Sequence, residues 1–227
     1  METLIAKISI MLVPALFAIT LHEVAHGFVA EKLGDPTARL LGRLTLNPFR
    51  HLDPIGTLAL VLFGFGWARP VPVNFGNLRN PRQGMILVAL AGPVTNLLVA
   101  VISALLLRVV FLYGGRFAGD MAFDHVLQPV ALMIASSLFI NVLLGIFNLF
   151  PLPPLDGGRV MVGLLPERYG MQLARLEPFG FVLVLVLIFY TPIWSGFLGP
   201  LIWSLVAVLS GPAAPVVHQM AGILVGR

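Results

Sequence analysis

His22, Glu23 and His26, in the stretch LHEVAHGFVAEKLGD (residues 21–35), are the side chains of this sequence best suited to chemistry. Four residues apart, the two imidazoles fall on one face of a helix. HExxH is the spacing of two zinc-ligating histidines with a glutamate beside the metal. The chemistry open to such a trio is metal-assisted hydrolysis, in which a metal acidifies water and a carboxylate takes the proton as the water attacks a carbonyl. The motif lies at the end of a long apolar segment, where imidazole and charge are costly. Ionisable groups kept in such surroundings mark functional sites.

Two histidines leave a catalytic zinc one protein ligand short, because such sites use three ligands and an open position. The 227-residue chain has no cysteine, so the third ligand must be His, Asp or Glu. His51 and Asp53, in HLDP, are near in sequence, and Asp156, in NLFPLPPLDGG, is the stronger candidate. Pro151, Pro153 and Pro154 stop the preceding helix and leave an extended segment that can carry a carboxylate to the metal. Gly157 and Gly158 then let the backbone turn. His51 reads better as a ring bonded to a loop carbonyl, and Asp53-Pro54 as a turn entry. Asn96, close to Gly92 and Pro93, suits the site and close helix packing equally.

The elements that must position these residues are membrane helices. The chain is 58% hydrophobic and 11% charged, with a mean hydropathy of +0.96. A soluble domain would carry about twice that charge fraction. The absence of cysteine excludes disulfides and thiolate metal sites. The net charge of +4 is spread over short loops between apolar runs, so nucleic acid is excluded as a partner and the lipid bilayer is the expected one. A cleaved signal peptide is not expected, since the N-terminus lacks a basic region and its apolar run continues into the histidines.

Apolar runs at about 4–33, 84–113 and 129–150 are long enough to span, and those at 179–190 and 199–210 predict a C-terminal helical hairpin. The run IGTLALVLFGFGW (55–67) is too short to span and predicts a re-entrant segment. That reading places Arg39, Arg43 and Arg50 on the same side as Arg69, Arg79 and Arg82, in agreement with the positive-inside rule. The loop with Asp120, Asp124 and His125 is then external, and Asp156 emerges on the face where the first helix ends. Had 55–67 crossed, Asp156 would lie across the bilayer from His22. GRLTLN (42–47) and RPVPVNF (69–75) have short β-like patterns, the second restricted by its prolines to an edge that could hold unwound substrate. A single membrane domain over 1–227 is expected, with a catalytic core at about 1–165 and the hairpin at about 175–210.

HEVAH in the first helix, AGPVTN in the next full span and NLFPLPPLDGG after the following one, in this order, resemble the site-2 protease family of intramembrane zinc metalloproteases. The resemblance covers about residues 15–165. It implies His22, His26 and Asp156 as ligands of one Zn2+ per chain, Glu23 as catalytic base, and Asn148 as a group that orients substrate or the developing oxyanion. It also implies an all-α polytopic fold with a three-span core and a small membrane-associated β or re-entrant element. Two departures stand out. The catalytic helix comes first, so a span that some relatives carry ahead of it is expected to be missing, and no PDZ or CBS-like insertion is seen.

The expected function is hydrolysis of peptide bonds within or near transmembrane segments of membrane proteins, releasing cytoplasmic fragments. The expected place is a prokaryotic cell membrane, with the site opening to the cytoplasm. A non-catalytic adaptor with a structural zinc would have no need of Glu23. A metal-ion transporter would be expected to show repeated halves, and no internal repeat is visible.

Overall fold

The structure, a computed structural model, describes the backbone of residues 2–63, 66–114 and 121–225. Its helices are α1 (Glu2–Lys32), α2 (Thr37–Leu40), α3 (Pro54–Phe63), α4 (Pro81–Gly114), α5 (Met121–Asn148), α6 (Asp156–Leu164), α7 (Glu167–Ala174), α8 (Gly180–Tyr190), α9 (Gly199–Ser210) and α10 (Ala214–Val225). Four stretches are long and apolar enough to cross a membrane: Ile8–Lys32, Pro81–Gly114, Val126–Asn148 and Trp194–Ile223. Apolar residues surround these helices on all sides, as a lipid-facing helix requires, and the helix satisfies its own backbone where water cannot. The chain is an all-α polytopic membrane protein. Half of the apolar window of α5 is buried within the protein, against 28% for α1 and 22% for α4, so α5 is the most enclosed span.

Two compact units divide the chain. One comprises Met1–Ala18, Asn96–Leu144 and Ser195–Arg227, the other Ile19–Thr95 and Gly145–Trp194. In the first unit a polar ladder ties three spans together. Asn96 donates to the Ala18 carbonyl at 3.2 Å and to Asn141 Oδ1 at 2.8 Å. Asn141 in turn donates to the Ser137 carbonyl at 2.9 Å, and the Ser103 and Ser137 hydroxyls bond at 2.9 Å. Hydrogen bonds of this kind hold membrane helices together where apolar contact offers no advantage over lipid. The C-terminal arms expected at 179–190 and 199–210 are the helices α8 and α9. The arm at 199–210 does not end there: a 3-10 turn at Gly211–Ala213 leads into α10, and the candidate span runs from Trp194 to Ile223. The other arm, α8, has only 11 residues. Gly211-Pro212 forms the short turn between the two helices.

The second unit begins where α1 stops. Gly34, at φ 116°, takes the left-handed conformation that ends a helix, and Asp35 N–H reaches back to the Ala30 carbonyl at 2.9 Å. The Asp35 carboxylate is fully buried and gathers the surrounding chain. It accepts from Thr37 N at 3.2 Å, Asn74 N at 2.7 Å and Asn77 Nδ2 at 2.9 Å, as well as from the Thr37 hydroxyl. Burial pushes its pKa up, but these donors outweigh burial and hold it below the usual carboxylate range. The native state therefore binds this proton less readily than the unfolded chain, so the stabilisation is full above about pH 4 and is lost as pH falls below that. Asp35→Ala should cost about 2–4 kcal/mol at neutral pH, and Asp35→Asn should flatten the acid limb of a detergent-solubilised unfolding curve. An unchanged acid limb in Asp35→Asn would show that this carboxylate does not govern it.

The re-entrant expectation for 55–67 meets a ten-residue helix, α3, about 15 Å long and half the thickness of a hydrocarbon core. Leu52 and Ala68, at either end of the segment, pair in an antiparallel bridge, and Arg69 N–H donates to the His51 carbonyl at 2.8 Å. The chain leaves and returns at one place, so the segment does not cross. The expected β element is corrected: the described residues contain that isolated bridge and no strand. In the extended 69–75 segment, Pro70 and Pro72 have no N–H to give. Val71 N–H goes to Glu23 Oε2 at 2.7 Å and Asn74 N–H to Asp35. With these donors committed to carboxylates, the segment has few left for a ladder.

Candidate metal centre

The histidines of α1 face α4 and the start of α6 within the second unit. His26 Nδ1 lies 2.7 Å from the Val88 carbonyl, which can only accept, so Nδ1 carries the proton. In the neutral ring Nε2 is then a lone pair, the tautomer a metal needs. His22 Nε2 lies 3.0 Å from His26 Nε2, with the two rings at 85° to one another. Asp156 Oδ2 lies 3.2 Å from His22 Nε2 and 3.4 Å from His26 Nε2, and is a buried oxygen with no hydrogen-bond partner of suitable geometry.

Three potential ligand atoms thus converge at 3.0–3.4 Å. Neighbouring ligands of a tetrahedral zinc with bonds near 2.0–2.1 Å stand about 3.3 Å apart. The spacing is compatible with a tetrahedral zinc, which these three side chains could hold. Among the described residues, these three form the group of His and acidic side chains able to hold a metal ion.

Asp156 arrives by a more compact route than the extended segment expected. Turns occupy 149–155, with Phe150 N–H on the Phe147 carbonyl at 3.1 Å and Leu155 N–H on the Leu152 carbonyl at 3.0 Å. Asp156 opens α6 behind them. Gly157 and Gly158 are needed for this packing: a Cβ would come within 2.1 Å of the Leu149 carbonyl oxygen at the first and 2.2 Å of Pro153 N at the second.

A cavity of about 520 Å³ opens on the three donors, and Glu23, Asn148, Trp67, Val71, Phe75 and Arg159 help line it. Glu23 is oriented by the Val71 N–H, and Asn148 closes α5 at the cavity wall. His51 and Asp53 stand elsewhere. His51 Nε2 is 2.9 Å from the Thr45 carbonyl, and Asp53 caps α3 through Gly56 N–H at 2.8 Å. Asn96 belongs to the polar ladder of the other unit. The side chains of Asp124 and His125 lie outside the described residues.

Sequence reasoning missed the backbone contributions of Val71 and Val88, which no residue type announces. It also missed Arg159, three residues beyond Asp156 on α6. Its guanidinium lies 5.7 Å from the Phe75 ring centre and 2.7 Å from Glu177 Oε1. The helical spacing from Asp156 was the available signal for it.

The chain is thus a membrane protein with a His-His-Asp group that could hold a metal ion, and Glu23 lines the same cavity. The Peptidase family M50 model matches residues 117–190, a stretch that contains Asn148 and Asp156 but not the histidine motif. The chain is 42% identical over 192 residues to "Putative zinc metalloprotease YwhC" of Bacillus subtilis, covering 85% of each chain. It is 33% identical over 180 residues to "Putative zinc metalloprotease Rip2" of Mycolicibacterium smegmatis, covering 76% of this chain and 64% of that one. With "Zinc metalloprotease MJ0392" of Methanocaldococcus jannaschii it shares 28% over 153 residues, 67% of this chain and 33% of that one. No solved structure matches. The chain belongs to peptidase family M50, the site-2 protease family.

Proposed function

We propose that this chain is an intramembrane zinc endopeptidase that cuts membrane proteins within or near their transmembrane segments and releases cytoplasmic fragments. In this reading one zinc per chain is held by His22, His26 and Asp156. The observation that carries the reading is the convergence of three possible ligand atoms at a spacing zinc can bridge, in a cavity that also presents Glu23. Bound there, zinc supplies Lewis acidity, bringing the pKa of water towards 7 and polarising a carbonyl.

The chain's own groups do the rest. Glu23, held by the Val71 N–H, takes the proton of the attacking water and passes it to the leaving amine. The Asn148 amide donates to the oxygen that gains charge as the carbonyl becomes tetrahedral. Trp67, Val71, Val73 and Phe75 give the cavity an apolar wall suited to an unwound membrane segment. A purely structural metal would need neither an adjacent carboxylate nor an open cavity, which argues against an adaptor.

The histidines lie about 10–15 Å along α1 from its end at Lys32, inside the hydrocarbon, on the side of the basic loops. Scission should therefore fall in the cytoplasmic half of a substrate's membrane segment. A transmembrane helix hides its peptide bonds, so it must open first. One Gly near the cut, worth about 1 kcal/mol of helix stability, should speed cleavage roughly fivefold, and a Leu-rich replacement should slow it. Product masses from such a substrate series, in vesicles with orientation fixed by labelling Thr45→Cys and Phe75→Cys from each side, test this reading. Cuts confined to soluble loops, or opposite labelling of the two cysteines, would overturn it.

A further inference from the structure

On the α4 side, the bare backbone of Gly92 lies against the two histidine rings of the candidate metal centre. A β-carbon built there would stand 2.4 Å from His26 Nε2, 2.5 Å from His22 Cε1 and 2.7 Å from His22 Nδ1. All three of its nearest neighbours belong to the two imidazoles, and one is the nitrogen offered to the metal. One turn earlier on the same face of α4, the Val88 carbonyl holds His26 Nδ1 at 2.7 Å. At successive turns α4 therefore presents first an acceptor that fixes the His26 tautomer and then bare backbone against which both rings rest.

The geometry points to Gly92 as a positioning residue for the metal centre, which sets how far the His22 and His26 rings withdraw from Asp156 and so sets the metal's coordination. The inference rests on the zinc reading above. The rings are confined on their other sides. His22 and His26 are both buried, α1 fixes their Cα atoms four residues apart, and Asp156 Oδ2 stands 3.2 and 3.4 Å from their Nε2 atoms. A methyl group at 92 has no space to enter unless a ring moves. A moved ring gives up the Val88 hydrogen bond, the donor spacing near 3.3 Å, or both.

Other glycines serve as controls. At Gly196 an added Cβ meets nothing within 4 Å, whereas at Gly163 its nearest atoms are the Ile86 side chain at 2.4 Å and the Arg82 carbonyl oxygen at 3.3 Å, and none belongs to His22, His26 or Asp156. Gly196→Ala should leave the protein unchanged, and Gly163→Ala should alter stability without touching the metal.

The test uses the full chain in detergent. Zinc affinity is measured by competition with a chromophoric chelator, and coordination by the visible spectrum of the Co2+-loaded protein, with thermal unfolding recorded alongside. Gly92→Ala should lower zinc affinity about 10–100-fold and change the Co2+ band shape, while Gly163→Ala and Gly196→Ala keep both. In the Gly92→Ala background, His26→Asp should cost less affinity than in the wild type, because the shorter ligand makes room for the methyl group. If Gly92→Ala does not fold, the triple variant His22→Ala/His26→Ala/Gly92→Ala should fold, since the rings that the methyl group meets are gone. Wild-type affinity and spectrum in folded Gly92→Ala, additive costs with His26→Asp, or a triple variant that still fails to fold would overturn the inference. A wild-type chain that binds no zinc would overturn the zinc reading itself, so the two failures are distinguishable.

Discussion

Glu23→Gln should bind zinc like the wild type and cut substrate about 10²–10⁴-fold more slowly. Glutamine keeps the size of the side chain and an oxygen for the Val71 N–H, which lies 2.7 Å from Glu23 Oε2. It cannot accept a proton from water. The loss should fall on kcat, with little change in KM, because proton transfer belongs to the transition state and not to substrate binding. Zinc content measured on the same preparation separates this from a damaged metal site. Near-normal turnover in a zinc-replete variant would remove Glu23 from the role of base.

Asp156→Ala should lower zinc affinity by more than about 100-fold, beyond the cost of losing a mere supporting partner. His22→Ala and His26→Ala should do the same, since each removes one corner of the triangle with sides of 3.0, 3.2 and 3.4 Å. Thermal unfolding recorded on the same variants separates loss of a ligand from loss of the fold. Elemental analysis after dialysis against a weak chelator reads the effect. Full occupancy in Asp156→Ala would exclude this carboxylate from the ligand set and turn attention to His51 or Asp53, although both are engaged with local backbone.

Much of the site was legible because helical spacing puts His22 and His26 on one face whatever surrounds them. Asp156 was legible by a different route. Loop charge fixed the side on which each span ends, and only the re-entrant reading of 55–67 brought Asp156 back to the histidines. The bridge between Leu52 and Ala68 has that consequence. The β-like patterns were misleading for a physical reason. Alternating Pro and Val in 69–75 gives the period of a strand, but the period says nothing about where the N–H groups go, and Glu23 and Asp35 take two of them. The Val88 carbonyl, the Val71 N–H and the bare backbone at Gly92 were out of reach, because main-chain atoms have no residue signature and their role appears only when distant helices meet.

Zinc-dependent peptide hydrolysis at the His22, His26 and Asp156 centre is tested by the product mass from a single-span substrate reconstituted with the purified chain as isolated, after chelation, and after zinc is restored. Two fragments whose masses sum to that of the substrate plus one water should form, be lost on chelation and return with zinc. Cleavage that persists once elemental analysis shows the zinc gone, or its absence from zinc-replete protein given an unwound substrate, would contradict it.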